Sequence, residues 1–225
     1  DRKMKIHAKL LEFHENRNEP NLALEHAYLA GDLEKVSDLF PDAARILQAQ
    51  GRGRELIRWS VFAGDNSKLG LLKRATVELT GRLALQDYRG VISMAEQMNF
   101  DAQGTVLEGF IRQITAGALA QIDLTLGKFD DFDKHFAQAL QPQDGPLMLG
   151  VEEQISLHKF AAVKLLILDQ TEQLEALYEQ VKGIATSSKL PINQLQLSSI
   201  NAMVLFQIGE YRGAFEAASI SYSQF

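Results

Sequence analysis

Apolar residues along this chain recur every three to four positions rather than at every second one. That is the spacing of helices that bury one face. Between clusters of Gly, Pro and Asn the segments run to roughly 10–22 residues, a helix length, and none alternates as a half-buried strand would. In residues 105–126, Val106, Phe110, Ile114, Leu119, Ile122 and Leu126 fall mostly three to five apart, which predicts one buried helical stripe. The expected fold class is all-α.

The first part of the chain reads as short helices over 3–15, 21–30, 33–40, 42–50 and 54–63. They are ended in turn by NRNEP, AGD, Pro41, GRG and AGDN. A boundary is expected near 64–66, separating a helical linker region, 1–65, from a repetitive region, 66–225. Four segments of the latter align with one another: QDYRGVISMAEQM (86–98), GKFDDFDKHFAQAL (127–140), DQTEQLEALYEQV (169–181) and GEYRGAFEAASI (209–220). Their third residues, Tyr88, Phe129, Thr171 and Tyr211, are 41, 42 and 40 residues apart. A period near 40 accommodates a helix, a tight turn and a second helix, and such pairs must stack to cover their apolar faces.

Composition narrows the functional classes. The 23 Lys and Arg against 29 Asp and Glu give a net charge of -6 without long runs of either sign, so no phosphate-tracking surface is expected. The absence of cysteine excludes disulfides, thiolate metal sites and a cysteine nucleophile, and it fits a reducing, cytoplasmic setting. The apolar stretch at 160–168 is interrupted by Lys164 and is far shorter than the ~20 residues of a membrane span. The opening DRKMKIHAKLLEFHE and the closing SYSQF suggest an excised piece of a larger protein.

Motifs that could carry chemistry fail on their context. GIATSSKL (183–190) lacks the second Gly of a phosphate-binding loop and reads as an interhelical turn. GRGRE (51–55) lacks the third Gly of a dinucleotide fingerprint and reads as a helix stop with two solvated arginines. His7, His14, His26, His135 and His158 form no HExxH and no i, i+4 pair, so they read as capped or surface imidazoles, and a metal site would require convergence in space. DDFD (130–133) lacks the Gly and terminal Glu of a calcium loop and reads as a helix start. No GxSxG elbow accompanies the serines, and no enzymatic apparatus is identified.

Two stretches resemble known families. GEYRGAFEAA is similar to the tetratricopeptide turn, with Gly209 permitting the sharp connection, Tyr211 packing under it and Ala214 allowing the helices to approach. Ala120, Ala162 and Ala202 fall where that family also uses small residues, whereas Thr171 replaces the aromatic and Gln86 and Asp169 replace the turn Gly. Residues 7–40 resemble the linker of MalT-like, LuxR-family, ATP-dependent transcription regulators, with Ala23, His26, Ala27, Ala30, Gly31 and Asp32 carrying the match. In that family the phrase leads into a superhelix of long tetratricopeptide-like repeats.

These resemblances imply a right-handed superhelix of antiparallel hairpins whose first helices line a concave face. Counting back from each turn places Lys73, Thr76 and Thr80, then Gln121 and Thr125, then Ser156 and Lys159, then Gln196, Ser199, Met203 and Gln207 on that face. A groove of amides and hydroxyls suits a neutral polar ligand or a peptide backbone. The implied role is a sensor that receives a small polar inducer or a regulatory protein and relays it to domains outside this chain. ATP and DNA would be ligands of the parent protein, with no cofactor, nucleic-acid contact or membrane contact in this segment and with self-association open to it. The alternative is a tetratricopeptide scaffold or co-chaperone module that grips a peptide. Such a groove typically concentrates Lys and Arg, and here only Lys73 and Lys159 are available.

Overall fold

The computed structural model describes residues 2–65, 67–142, 149–186 and 191–222. Among them the secondary structure is entirely helical, with twelve α-helices and one short 3-10 turn. The fold class is all-α, as the periodicity requires. No helix among the described residues is long and apolar enough to cross a membrane. The chain forms two compact units, Asp1–Phe100 and Asp101–Phe225.

The first unit contains α1 (Arg2–Asn16), α2 (Pro20–Ala30), α3 (Leu33–Ala49), α4 (Gly53–Trp59), a 3-10 turn at Ser60–Phe62, α5 (Lys68–Ala84) and most of α6 (Tyr88–Ala102). Each of α1 to α4 packs against the next in sequence. The core gathers Leu11 of α1, Leu24 and Ala27 of α2, Val36, Phe40 and Leu47 of α3, and Leu56 and Trp59 of α4. The second unit contains α7 (Glu108–Thr125), α8 (Phe129–Leu140), α9 (Val151–Ile167), α10 (Thr171–Thr186), α11 (Pro191–Gln207) and α12 (Tyr211–Tyr222). Here α7 pairs with α8, α9 with α10 and α11 with α12, and α9 lies against both α7 and α11.

One turn is used throughout. At Gln86, Gly127, Asp169 and Gly209 the backbone enters the left-handed region, with φ of 58°, 69°, 55° and 87°. The N–H of the following residue then reaches back to the carbonyl five residues earlier: Asp87 to Arg82, Lys128 to Asp123, Gln170 to Leu165 and Glu210 to Leu205. This satisfies carbonyls that the helix end would otherwise leave unpaired. A new helix begins two residues after the left-handed one, at Tyr88, Phe129, Thr171 and Tyr211, the four residues that the repeat alignment puts in register. The same backbone recurs at Asn18, Gly31 and Gly51, where the N–H groups of Glu19, Asp32 and Arg52 bond His14, Ala27 and Leu47. These turns also join helices, but at irregular spacing, so the period does not extend to them.

Gln86 and Asp169 adopt a conformation that costs a residue with a Cβ free energy. Aspartate tolerates it better than glutamine because its short side chain bonds locally. Gln86→Gly is therefore expected to raise stability by about 0.5–1 kcal/mol, and Gly209→Ala to lower it by a similar amount. Urea unfolding followed by circular dichroism would check both. No gain in Gln86→Gly would show that its left-handed backbone is not strained.

Two sequence expectations need correction. Pro41 does not split α3, which runs unbroken from Leu33 to Ala49. Its ring is exposed, whereas Val36, Phe40, Ala43 and Leu47 form one buried stripe. The carbonyl deprived of its N–H partner therefore faces solvent, and burial of the stripe holds the helix through the proline. In α7 the stripe expected from 105–126 holds inside the helix, where Ile122 is buried and Phe110 and Ile114 pack against buried neighbours, and fails at its two ends. Val106 lies outside the helix and is 75% exposed, and Leu126 is 51% exposed. With Ile122 the helix also buries Ile111, Gln113, Thr115, Ala116, Gly117, Ala118, Ala120 and Asp123. Small residues carry this packing because α9 comes close: a Cβ on Gly117 would stand 3.0 Å from Leu157 Cδ2.

Candidate functional site

The candidate face is built on α7, α9 and α11 of the second unit. Relative to the left-handed residues Gly127, Asp169 and Gly209, the positions Gly117, Lys159 and Ser199 are equivalent, and so are Ile114, Ser156 and Gln196. Gln196 Nε2 donates to Ser156 Oγ at 2.9 Å, a bond between equivalent positions of neighbouring hairpins. Near the other end of α11, Gln207 Nε2 donates to Asp169 Oδ1 at 2.9 Å. The two amides thus fasten α11 to the preceding hairpin. Their Oε1 atoms are shielded from solvent and meet no donor among the described residues.

The two lysines of α9 have different environments. Lys164 reaches across to Asp133 of α8, with Nζ 2.5 Å from Oδ1 and 2.6 Å from Oδ2. Lys159 is half-buried, and no carboxylate pairs with it among the described residues. Burial pushes its ammonium below the usual lysine range, because desolvation disfavours the charged form. Lys159 lies one helical turn from Ser156, the residue to which Gln196 donates.

No protein-family model, curated protein or solved structure matches this chain.

The remaining residues counted onto this face divide by what their polar groups already do. Thr76 and Thr80 belong to the first unit, and their hydroxyls donate to Leu72 O and Thr76 O of their own helix, at 2.9 and 3.1 Å. Thr125 is exposed and its hydroxyl donates to Gln121 O at 2.8 Å. Such i to i-4 bonds occupy the donor and leave only lone pairs for a ligand. Gln121 and Ser199 are half-buried, as is Met203, while Lys73 is exposed. The second unit therefore brings together Ser156, Lys159 and Gln196, with Ser199 at the position equivalent to Lys159.

The histidines depart from their expected dispersal. His158 is buried, its Nδ1 donating to Gln154 O at 2.7 Å, and His135 Nδ1 lies 2.6 Å from Asp123 Oδ2, tying α8 to α7. His7, His14 and His26 converge in the first unit, although no group of three or more His, Cys, Asp or Glu able to hold a metal ion occurs among the described residues. Sequence reasoning missed this cluster. The available signal was the seven-residue spacing of His7 and His14, which puts both on one helix face. Asp130 and Asp131 occupy the first turn of α8, as expected of DDFD. Gly51 is a left-handed helix stop, but Arg52 is ion-paired with Glu55 rather than merely solvated. GIATSSKL supplies the last turn of α10 up to Thr186, and 187–190 lie outside the described residues.

Proposed function

We propose that this chain is the sensor module of a MalT-like, LuxR-family transcription regulator, a superhelix of tetratricopeptide-like hairpins with a period near 40. In this reading it catalyses nothing. It binds a small polar inducer or a regulatory protein and relays occupancy to nucleotide- and DNA-binding domains outside 1–225. The linker phrase at 7–40 and the repeated turn support the class. The observation that carries the binding role is that, among the described residues, the half-buried Lys159 meets no carboxylate and the shielded Oε1 of Gln196 meets no donor. A face that leaves a donor and an acceptor unmet is suited to a ligand that presents both, because unpaired buried polar groups cost about 1–3 kcal/mol each.

Lys159 also favours a second reading, a scaffold that clamps the carboxylate of a peptide. Calorimetric titration with neutral metabolites, carboxylate-bearing metabolites and peptides, at two salt concentrations, separates the two. A peptide-carboxylate clamp weakens steeply as salt rises, whereas recognition of a neutral inducer does not. In both, Lys159→Met is expected to weaken binding by about 1–3 kcal/mol. It should leave stability unchanged or raised, since methionine fills the site without a desolvated charge. Binding that survives Lys159→Met and Gln196→Ala would sink the assignment of this face.

A further inference from the structure

We propose that His7, His14 and His26 form a proton-operated latch that releases α1 from α2 when the solution turns mildly acidic. His7 and His14 project from one face of α1, two helical turns apart. Each is stacked on His26 of α2. The ring centroids lie 5.3 Å apart for His7 and His26, with the planes 29° from parallel, and 5.2 Å apart for His14 and His26, at 22°. His7 Nδ1 and His26 Nδ1 are 3.1 Å apart. At that distance one nitrogen must donate and the other accept, so at least one of the two imidazoles is neutral. A further proton sets N–H against N–H and stacks like charges.

The surrounding charges offset this only in part. On the α1 side, His14 Nδ1 meets Glu19 Oε2 at 2.7 Å, and Glu19 also accepts from Arg17. On α2, Glu25 is the carboxylate that favours a charged His26, but it also faces Arg58 of α4 at 3.8 Å. On α3, Lys35 adds a cation that is taken up by Glu15 of α1 at 2.6 Å. Burial foremost, then the charges on His14 and His7, hold His26 below the usual imidazole range. A histidine depressed in the folded state binds its proton more readily once released. Stability is therefore intact above the ordinary imidazole value near 6.5 and is lost as pH falls from there toward the folded value.

The helix that this proton would release contributes little to the buried core. Leu11, midway between His7 and His14, is the one described α1 residue in the buried core of the unit. Beyond it, the polar ties from α1 to its neighbours include the imidazole stack, the His14–Glu19 contact and the Glu15–Lys35 pair. Elements with so few buried contacts open locally before the whole fold does.

Amide hydrogen exchange of the full 225-residue chain, in chelator and corrected for the intrinsic pH dependence of exchange, tests the latch. Between pH 7.5 and 5.5, protection of the amides in 2–16 is expected to fall severalfold, toward the limit of about tenfold that a released imidazole with a pKa near 6.5 sets at pH 5.5. Protection in 151–167 should hold. In His7→Gln and His26→Gln, each checked for helicity at pH 7.5, the fall should shrink to less than about threefold. An equal fall in both variants, or none in the wild type, would overturn the proposal. So would a zinc-dependent rise in α1 protection that both variants abolish, since the cluster would then be a metal site.

Discussion

Phe132→Ala is expected to lower the stability of the second unit by about 3–5 kcal/mol, as truncation of a fully enclosed phenyl ring does. Phe132 is 1% exposed and packs with Ala120 of α7 and Ala161 of α9, so it fills the space where α8 meets both first helices. Phe136 stacks on it at 5.5 Å and the Lys164 ammonium lies 5.6 Å from its centroid. The two alanines beside it cannot fill the void. Ala120 and Ala161 have no side chain to swing inward, and their backbones are fixed by the helices. Removing the ring also removes the aromatic face beside Lys164, a further small loss. Hydrogen exchange or urea unfolding of α7 and α8 would measure the effect. A loss below about 1 kcal/mol would show that the ring is not a core element.

Trp59→Ala is the corresponding test of the first unit, with an expected loss of about 3–5 kcal/mol. Trp59 is 3% exposed at the end of α4, between Tyr28 of α2 and Phe62, with ring centroids 5.3 and 5.9 Å away. The Arg58 guanidinium lies over its face at 4.5 Å. Edge-on and cation contacts of this kind add to the burial of the largest side chain in the unit. As the chain has a single tryptophan, its fluorescence in the wild type reports unfolding of this unit directly. Exchange protection of α2 and α4 in Trp59→Ala would give the loss. Unchanged protection there would mean that the aromatic cluster decorates the unit and does not hold it.

The helix starts Tyr88, Phe129, Thr171 and Tyr211 could be read in the sequence because the turn before each is a fixed count of backbone units. A left-handed residue, one residue more, and the next helix begins. That count survives the replacement of glycine by Gln86 and Asp169, since the reach-back hydrogen bond selects the conformation and the side chain only adjusts its cost. The same turn at Asn18, Gly31 and Gly51 was not recognisable as a repeat, because the helices between these turns differ in length. In α7 the apolar pattern found Ile122 but not the small residues buried with it. Where glycine and alanine let α9 approach, the small residues become the buried ones and large ones such as Val106 are left outside.

The candidate face was half legible. Counting from the turns put Lys159, Gln196 and Ser199 on one side of the first helices, and the bond from Gln196 to Ser156 follows the same register. Nothing in the count shows that Thr76, Thr80 and Thr125 spend their hydroxyls on their own helices, or that Gln207 is held by Asp169. The sequence by itself determined what is local: helix, turn and phase, set by backbone torsions and by hydrogen bonds four or five residues long. Only the tertiary structure decided what each polar group meets. It left Lys159 half-buried with no carboxylate among the described residues and placed His26 between His7 and His14, because burial and cross-helix pairing depend on neighbours from other helices that are not local in the chain.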